Sequence, residues 1–163
     1  MRRRRPSVLN YQAAGIAVWI ACAASVAAAH YYRADIIPVG DDLLLAAQTL
    51  DEPEMSERVV VYRRTSAPGS EPIEWELIFN DIAGAYYGAA THRGEAILMF
   101  ENALLAIARQ PGGGPWDWRL IPLTRPLLPE AGLSADGQLF VFGKDTVSGR
   151  LAGVAYRDGE TRV

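Results

Sequence analysis

Few residues in this chain could exchange protons near neutral pH, because its 163 residues include two histidines, His30 and His92. A hydrolase would need His92 as its general base, with Glu74 or Glu76 as a carboxylate partner. No serine lies in the G-x-S-x-G pattern of a nucleophile elbow. Hydrolysis is therefore less favoured than the two non-enzymatic functions that the rest of the sequence supports. We expect His92 to lie in a surface loop. The serines that such a reaction would have to draw on are Ser66, Ser70, Ser134 and Ser148.

The carboxylates offer one further pattern, since Glu74 and Glu76 would share one face of a strand. Glycosidases use paired carboxylates, but exposed strand faces are ordinarily acidic too. The acidic stretches 41–42 and 51–54 do not have the spacing of a calcium loop. We expect solvated surface at these positions, and we predict no catalytic residue, no metal site and no cofactor.

His30 follows a long apolar run, so it would lie near the end of a membrane helix. A neutral imidazole in that position can ligate haem iron or the magnesium of a pigment. Val26, one helical turn earlier, leaves less room for a flat ring than an alanine would. We therefore favour an interfacial His30 bonded to water and head groups, with pigment or haem binding as the alternative.

The apolar run itself, residues 13–29, contains no charged residue, and aromatic and polar flanks extend it to a predicted transmembrane segment at 13–32. The basic N-terminus, residues 1–12, carries four arginines at 2–5 and should stay in the cytoplasm of a bacterial-type cell. This orientation exports the rest of the chain.

Two alternatives to a retained anchor remain open. The small residues at Ala27 and Ala29 resemble a signal-peptide cleavage site, and Cys22 could be acylated in a lipoprotein, although Trp19 stands where leucine is preferred. Retention is favoured because nine of the seventeen residues are alanine, which suits close helix–helix packing better than contact with lipid. The predicted packing positions are Ala17, Ala21, Ala24 and Ala28.

The charge of the exported part excludes one class of partner. Residues 37–163 contain eighteen acidic and eleven basic side chains, a net charge of −7. Nucleic-acid binding depends on clustered Lys and Arg, so we predict none. Cys22 is the chain's single cysteine, and the exported domain can therefore hold no disulfide.

The local patterns after the membrane predict an α+β domain, mostly antiparallel. We expect residues 33–57 to form a linker with a short helix at 43–50, capped near Asp42, and residues 58–163 to form the β-rich domain. Strands are predicted at 56–64 and 73–79, the latter with Trp75, Leu77 and Phe79 on one face. Segment 95–110 fits a helix slightly better than a hairpin turning at 101–102.

Residues 111–163 contain clearer loop and turn signals. The segment PGGGP at 111–115 must be a loop, while Asp136-Gly137 and Asp158-Gly159 are typical of tight hairpin turns. Trp116 and Trp118 follow the loop. We expect core packing for one or two of Trp75, Trp116 and Trp118, with a partner-binding edge formed by Trp116 and Trp118 as the second possibility.

These observations favour a non-enzymatic accessory subunit, a scaffold or assembly factor of a multisubunit inner-membrane complex. Photosynthetic and respiratory complexes are the assemblies in which a helix with a ring ligand would make most sense. The alternative is a periplasmic protein-binding or assembly factor, released by signal cleavage or tethered by lipid. The partners expected in the first case are the membrane and other transmembrane subunits.

Overall fold

The computed structural model describes residues 30–51 and 56–162, while the side chains at 30–32, 51, 56, 82 and 83 lie outside that description. Within it the protein is all-β, with no helix, so no described helix is long and apolar enough to cross a bilayer. The predicted anchor up to residue 29 lies outside the described residues, and residues 30–32 begin the first strand.

The twelve strands of the described residues form three four-stranded antiparallel sheets, each following the chain order. Sheet A contains β1 (His30–Val39), β2 (Asp42–Asp51), β3 (Ser56–Arg64) and β4 (Trp75–Ala83). Sheet B contains β5 (Tyr86–His92), β6 (Glu95–Phe100), β7 (Ala103–Arg109) and β8 (Trp116–Pro122). Sheet C contains β9 (Leu127–Ala135), β10 (Gln138–Asp145), β11 (Leu151–Arg157) and β12 (Glu160–Arg162).

Two-residue turns join most neighbouring strands. The predicted hairpins at 136–137 and 158–159 are confirmed, and both residues of each turn have positive φ, as a type I′ turn requires. Arg93-Gly94 forms a third turn of this kind, between β5 and β6. These short connections force consecutive strands to pair, which explains why each sheet follows the chain order.

The expected helices are wrong, and the segments concerned are strands. Residues 43–50 lie in β2, and residues 44–49 are all buried because both faces of that strand are covered. Within the segment 95–110, residues 95–109 form the β6–β7 hairpin, turning at 101–102 with Asn102 at φ 63°. A strand buried on both faces gives an unbroken apolar run, which has no period of two and therefore resembles a buried helix. The domain is accordingly all-β and not α+β.

The predicted alternation in β4 is also interrupted. Phe79 pairs with buried Val61, whereas Leu77 pairs with Tyr62, so the two side chains lie on opposite faces of sheet A. A β-bulge between these pairs inserts one extra residue, Ile78, and reverses the alternation. Phe79 enters the core, and Leu77 remains 49% exposed.

Sheet B lies between the other two sheets and divides the core into two layers. On the A side, Leu98, Leu105 and Ile107 join a cluster with Leu44 and Val61 of sheet A. On the C side, the intervening residues of the same strands pack against β10 and β11; the C-side cluster includes Ile97, Met99, Leu104, Leu139, Val141 and Tyr156. Successive side chains of β6 and β7 therefore point alternately into the A–B layer and the B–C layer.

The sheets approach most closely along their first strands, because β1 lies beside β5 and β5 lies beside β9. Small residues permit this, and a Cβ added at Gly132 would lie 3.1 Å from the Cβ of Ala90. Large side chains fill the space farther out, where Phe79 and Trp118 make an edge-to-face contact at 5.4 Å. Each interface is therefore a wedge, a packing also used by the four-stranded sheets of propeller proteins.

Substitution of Gly143 is the most direct test of this packing. A Cβ at this position would lie 2.0 Å from the backbone oxygen of Leu128, and a backbone atom cannot move aside as a side chain can. We expect Gly143→Ala to destabilise the domain by about 3 kcal/mol or more, measured by urea unfolding.

Gly153→Ala is the matched control, since its Cβ would lie closest to the Phe142 ring, at 3.1 Å, and at an ordinary contact distance of 3.7 Å from the backbone oxygen of Val141. That ring lies on an exposed face and can rotate, so we expect a loss of about 1 kcal/mol or less. Equal losses in the two variants would contradict the assigned β9–β10 register.

Candidate functional site

A polar cluster lies at one end of the seam between sheets B and C, and it is our candidate site. Its members are His92, Glu95, Arg119, Ser134 and Tyr156, which come from five strands. His92, Ser134 and Tyr156 each lie at or close to the strand end that precedes a two-residue turn. Because those turns lie at the same end of the seam, strands distant in sequence bring their polar residues together.

His92 and Ser134 form the pair with the clearest chemical potential. Nδ1 of His92 lies 2.9 Å from Oγ of Ser134, and the imidazole is 2% exposed. Its ring also packs edge to face on Tyr156, with the centroids 5.7 Å apart. His92 is thus a buried residue of β5, and the expectation of a surface-loop histidine is wrong.

The charge state of His92 follows from its surroundings. Burial lowers the pKa of the imidazole, and the nearby Arg93 charge lowers it further, while Glu95 and Asp158 oppose the shift. The neutral form is therefore favoured in the folded protein, in which one ring nitrogen accepts a hydrogen bond and the other donates. Nε2 is buried and has no hydrogen-bond partner in the described structure.

The carboxylate of Glu95 in this cluster bonds to Arg119 and Tyr156 and not to His92. Both oxygens of Glu95 accept bonds of 2.8 Å from the Arg119 guanidinium, which also donates to the Tyr156 hydroxyl at 2.7 Å. Tyr156 in turn lies 3.3 Å from Oε2 of Glu95, and burial raises its pKa, so the hydroxyl keeps its proton. The three side chains satisfy one another beneath the turn that joins β5 to β6.

The arrangement can hold a proton between His92 and Ser134, but it lacks the third member of a catalytic triad. Among the described residues, no carboxylate forms a hydrogen bond with Nε2 of His92, and Glu95 is occupied by Arg119 and Tyr156. Glu74 precedes β4 and Glu76 lies within it, so both belong to the region of sheet A. The structure therefore joins His92 to one predicted nucleophile, Ser134, and to neither predicted carboxylate.

Arg93 lies at the outer end of the seam between sheets B and C. Its guanidinium forms an ion pair with Asp158 in the β11–β12 turn, and it approaches the position that a Cβ on Gly137 would occupy to within 3.0 Å. This arginine therefore links three turns, one from sheet B and two from sheet C. The side chain was not singled out in the sequence, although its place in the Arg93-Gly94 turn was a usable signal.

The acidic residue Asp42 has a structural partner and is not part of an open carboxylate cluster. It accepts from Arg109 at 3.0 Å and lies 3.2 Å from Nε of Arg63. Arg109 also donates to the carbonyls of Gly113 and Gly114 in the predicted loop. This network fastens the 111–115 loop to sheet A, and Asp42 begins β2 instead of capping a helix.

A second buried group lies where β1 meets β5. The guanidinium of Arg33 lies 5.7 Å from the centroid of the Tyr86 ring, a cation–π arrangement. Burial raises the pKa of Tyr86, and the nearby Asp35 charge raises it further, so the phenol remains protonated. Gly88 makes room for Arg33, because a Cβ there would lie 3.0 Å from a guanidinium nitrogen.

The two tryptophans of the predicted interface occupy different environments. Trp116 is partly buried against the A–B core, with a buried Nε1 that lacks a hydrogen-bond partner in the described structure. Trp118 is 49% exposed and Leu120 is 55% exposed. The two residues are two positions apart in β8, so their side chains lie on the same face of that strand. Beside them lies a shallow cavity of about 410 Å³; its lining includes Asp81, Gly84, Ala85, Phe100, Glu101 and Leu120.

Several predicted sites lie outside the described residues. They are the cleavage and acylation positions, the side chain of His30 and the packing alanines Ala17, Ala21, Ala24 and Ala28. Within the described part, no group of three or more His, Cys, Asp or Glu side chains could hold a metal ion. Comparison of the chain with protein-family models, curated proteins and solved structures finds no match.

The pKa of His92 predicts a pH dependence of stability. Because its pKa is lower in the folded than in the unfolded chain, the unfolded state binds more protons as the pH falls. The stability contribution is full above the unfolded value of about 6.5 and is lost on acidification through the lowered folded value. We expect the free energy of unfolding to fall between pH 7.5 and pH 5.

His92→Phe should flatten this profile, since the ring can still pack on Tyr156 but cannot titrate. His30→Gln is the control and should retain the wild-type slope. Urea unfolding at each pH measures the effect, and an unchanged slope in His92→Phe would assign the dependence to other groups.

Proposed function

We propose that the protein is a non-enzymatic accessory subunit of a multisubunit inner-membrane complex, held by a helix within residues 13–29, which precede β1, with its β-domain outside the cytoplasm. The observation that carries the protein-binding part is the apolar edge of β8. Trp118 and Leu120 leave about half of their surface exposed, although Trp118 contacts Phe79 of the A–B core layer.

This edge has the composition of a protein-binding surface. Tryptophan is enriched at binding hot spots, where a rigid aromatic side chain fills a pocket of the partner. Trp118 is held rigidly, because its ring rests edge to face on Phe79. The cavity beside Leu120 adds a concave region that a partner side chain could fill.

The membrane part of the proposal rests on the alanine-rich sequence. A helix with Ala17, Ala21, Ala24 and Ala28 along one side would let another helix approach closely, which leucine would prevent. The four arginines before it support an orientation that exports the domain. Photosynthetic or respiratory assemblies are the proposed class of complex, and His30, the first residue of β1, is proposed as an interfacial residue, with pigment or haem binding as the alternative.

The second candidate is a periplasmic protein-binding or assembly factor, for which the Trp118 edge would serve equally well. The two proposals differ in the N-terminus. The intact mass of the native protein separates them, because removal of residues 1–29 supports the released factor and an intact N-terminus supports the anchor.

Substitution tests the β8 edge. We expect Trp118→Ala to reduce co-purification of the partner subunits at least tenfold after gentle solubilisation, because a central aromatic anchor contributes about 2 kcal/mol or more. Leu77→Ala is the control, since Leu77 is also 49% exposed but lies on the outer face of sheet A. Equal recovery with both variants would reject the β8 edge as the interface.

The helix is tested separately. Replacing Ala17, Ala21, Ala24 and Ala28 by leucine should release the protein from the solubilised complex, because the four larger side chains would separate the helices. Ala23→Leu with Val26→Leu changes the opposite side of the proposed helix and should have little effect. Unchanged co-purification of the fourfold variant would contradict helix packing.

A further inference from the structure

Strand β8 forms an outer edge of sheet B. It pairs with β7 on one side, in an uninterrupted register from Trp116 to Pro122, and no strand of the described structure pairs with its other side. The outer edges of the other two sheets are less open. The pairing of β4 is interrupted twice, which twists an edge away from a new partner, and β12 has only three residues. The edge of β8 is therefore the one best suited to accept a further strand.

The hydrogen-bond pattern identifies the backbone groups of β8 that point to the free side. Just before β8, the N–H of Gln110 donates to the carbonyl of Pro115. Bonded and non-bonded pairs alternate along an antiparallel ladder, so the odd-numbered residues in 117–121 bond to β7. The even-numbered residues in 116–120 direct their N–H and C=O groups away from it. Pro122 agrees with this alternation, because it has no N–H and holds an outward position.

Some of these outward groups already have a side-chain partner. The carboxylate of Asp117 accepts from the N–H of Trp118 at 2.9 Å, and Oγ1 of Thr161 donates to the carbonyl of Pro122 at 2.9 Å. The N–H of Leu120 and the carbonyls of Trp118 and Leu120 have no protein partner in the described structure. Another extended backbone carries donors and acceptors at the matching spacing, whereas a lipid surface does not.

We propose that an extended segment of a partner subunit pairs with residues 116–120 and becomes a fifth strand of sheet B. This inference rests on the function proposed above and specifies the conformation in which the partner is bound. Trp118 faces sheet A, where its ring contacts Phe79, and Leu120 lies on the same face. Side chains of the added strand beside them would continue this apolar face, so we expect every second residue of the bound segment to be apolar.

The charges around the edge indicate a basic residue in the bound segment. Asp81 and Glu101 line the cavity beside Leu120, and neither has an ion-pair partner among the described residues. A Lys or Arg of the added strand would pack its aliphatic part on Phe100 and place its charge near these carboxylates. A second copy of the chain suits the edge less well, because residues 37–163 hold eighteen acidic and eleven basic side chains and two such domains repel each other.

Leu120→Pro and Leu120→Ala form a matched pair that tests the strand pairing. Both variants remove the leucine side chain, but proline also removes the outward N–H and places its ring on the free side of β8. Because this N–H does not bond to β7, we expect both variants to fold, with free energies of unfolding that differ by about 1 kcal/mol or less. Co-purification of the partner subunits after gentle solubilisation should fall at least tenfold further in Leu120→Pro. Equal recovery of the partner with the two variants would overturn strand pairing.

Hydrogen exchange in the wild-type complex tests the same pairing without a substitution. The N–H of Leu120 should exchange rapidly in the isolated chain and at least tenfold more slowly in the solubilised complex. The N–H of Arg119 bonds to β7 and should be slow in both, which makes it the internal reference. An intact complex that leaves Leu120 unprotected would overturn the inference and leave the proposed function standing. Failure of the wild-type chain to co-purify with any partner subunit would reject both.

Discussion

Sheet B is buried on both faces, and the rest of the described structure depends on this constraint. Its central strands must supply apolar side chains to two layers at once, so β6 runs from Ala96 to Phe100 without an exposed residue. Sheets A and C each cover one of these faces. Burial of apolar surface is the main favourable term in folding, and removal of either outer sheet would expose half of the core.

The polar residues lie where this apolar packing ends. At the B–C seam, Glu95, Arg119 and Tyr156 satisfy one another, while His92 bonds to Ser134 and its other ring nitrogen has no hydrogen-bond partner among the described residues. A buried histidine without a carboxylate partner is favoured in its neutral form. The same seam closes one end of the sandwich, and burial of His92 is the reason that we expect the stability of the domain to depend on pH.

The surface proposed for binding arises from the same layered construction. The inner strands pack closely through small residues, and the outer strands are separated by aromatic side chains such as Trp118. The widening interface leaves the β8 edge partly exposed, with Leu120 beside the cavity. On the outer face of sheet C, Phe142 is 40% exposed and Leu133 is 59% exposed.

Local sequence determined the features that depend on neighbouring residues. Asp136-Gly137 and Asp158-Gly159 prescribe their turns because few other residue pairs tolerate positive φ at both positions. The β-rich character and the strand at 56–64 follow from composition and alternation. The helices expected at 43–50 and within 95–110 could not be separated from strands, since burial on both faces removes the alternation. Only the tertiary structure decided those segments, the bulge that reverses Leu77, and the meeting of His92 with Ser134, because each depends on which sheet lies opposite.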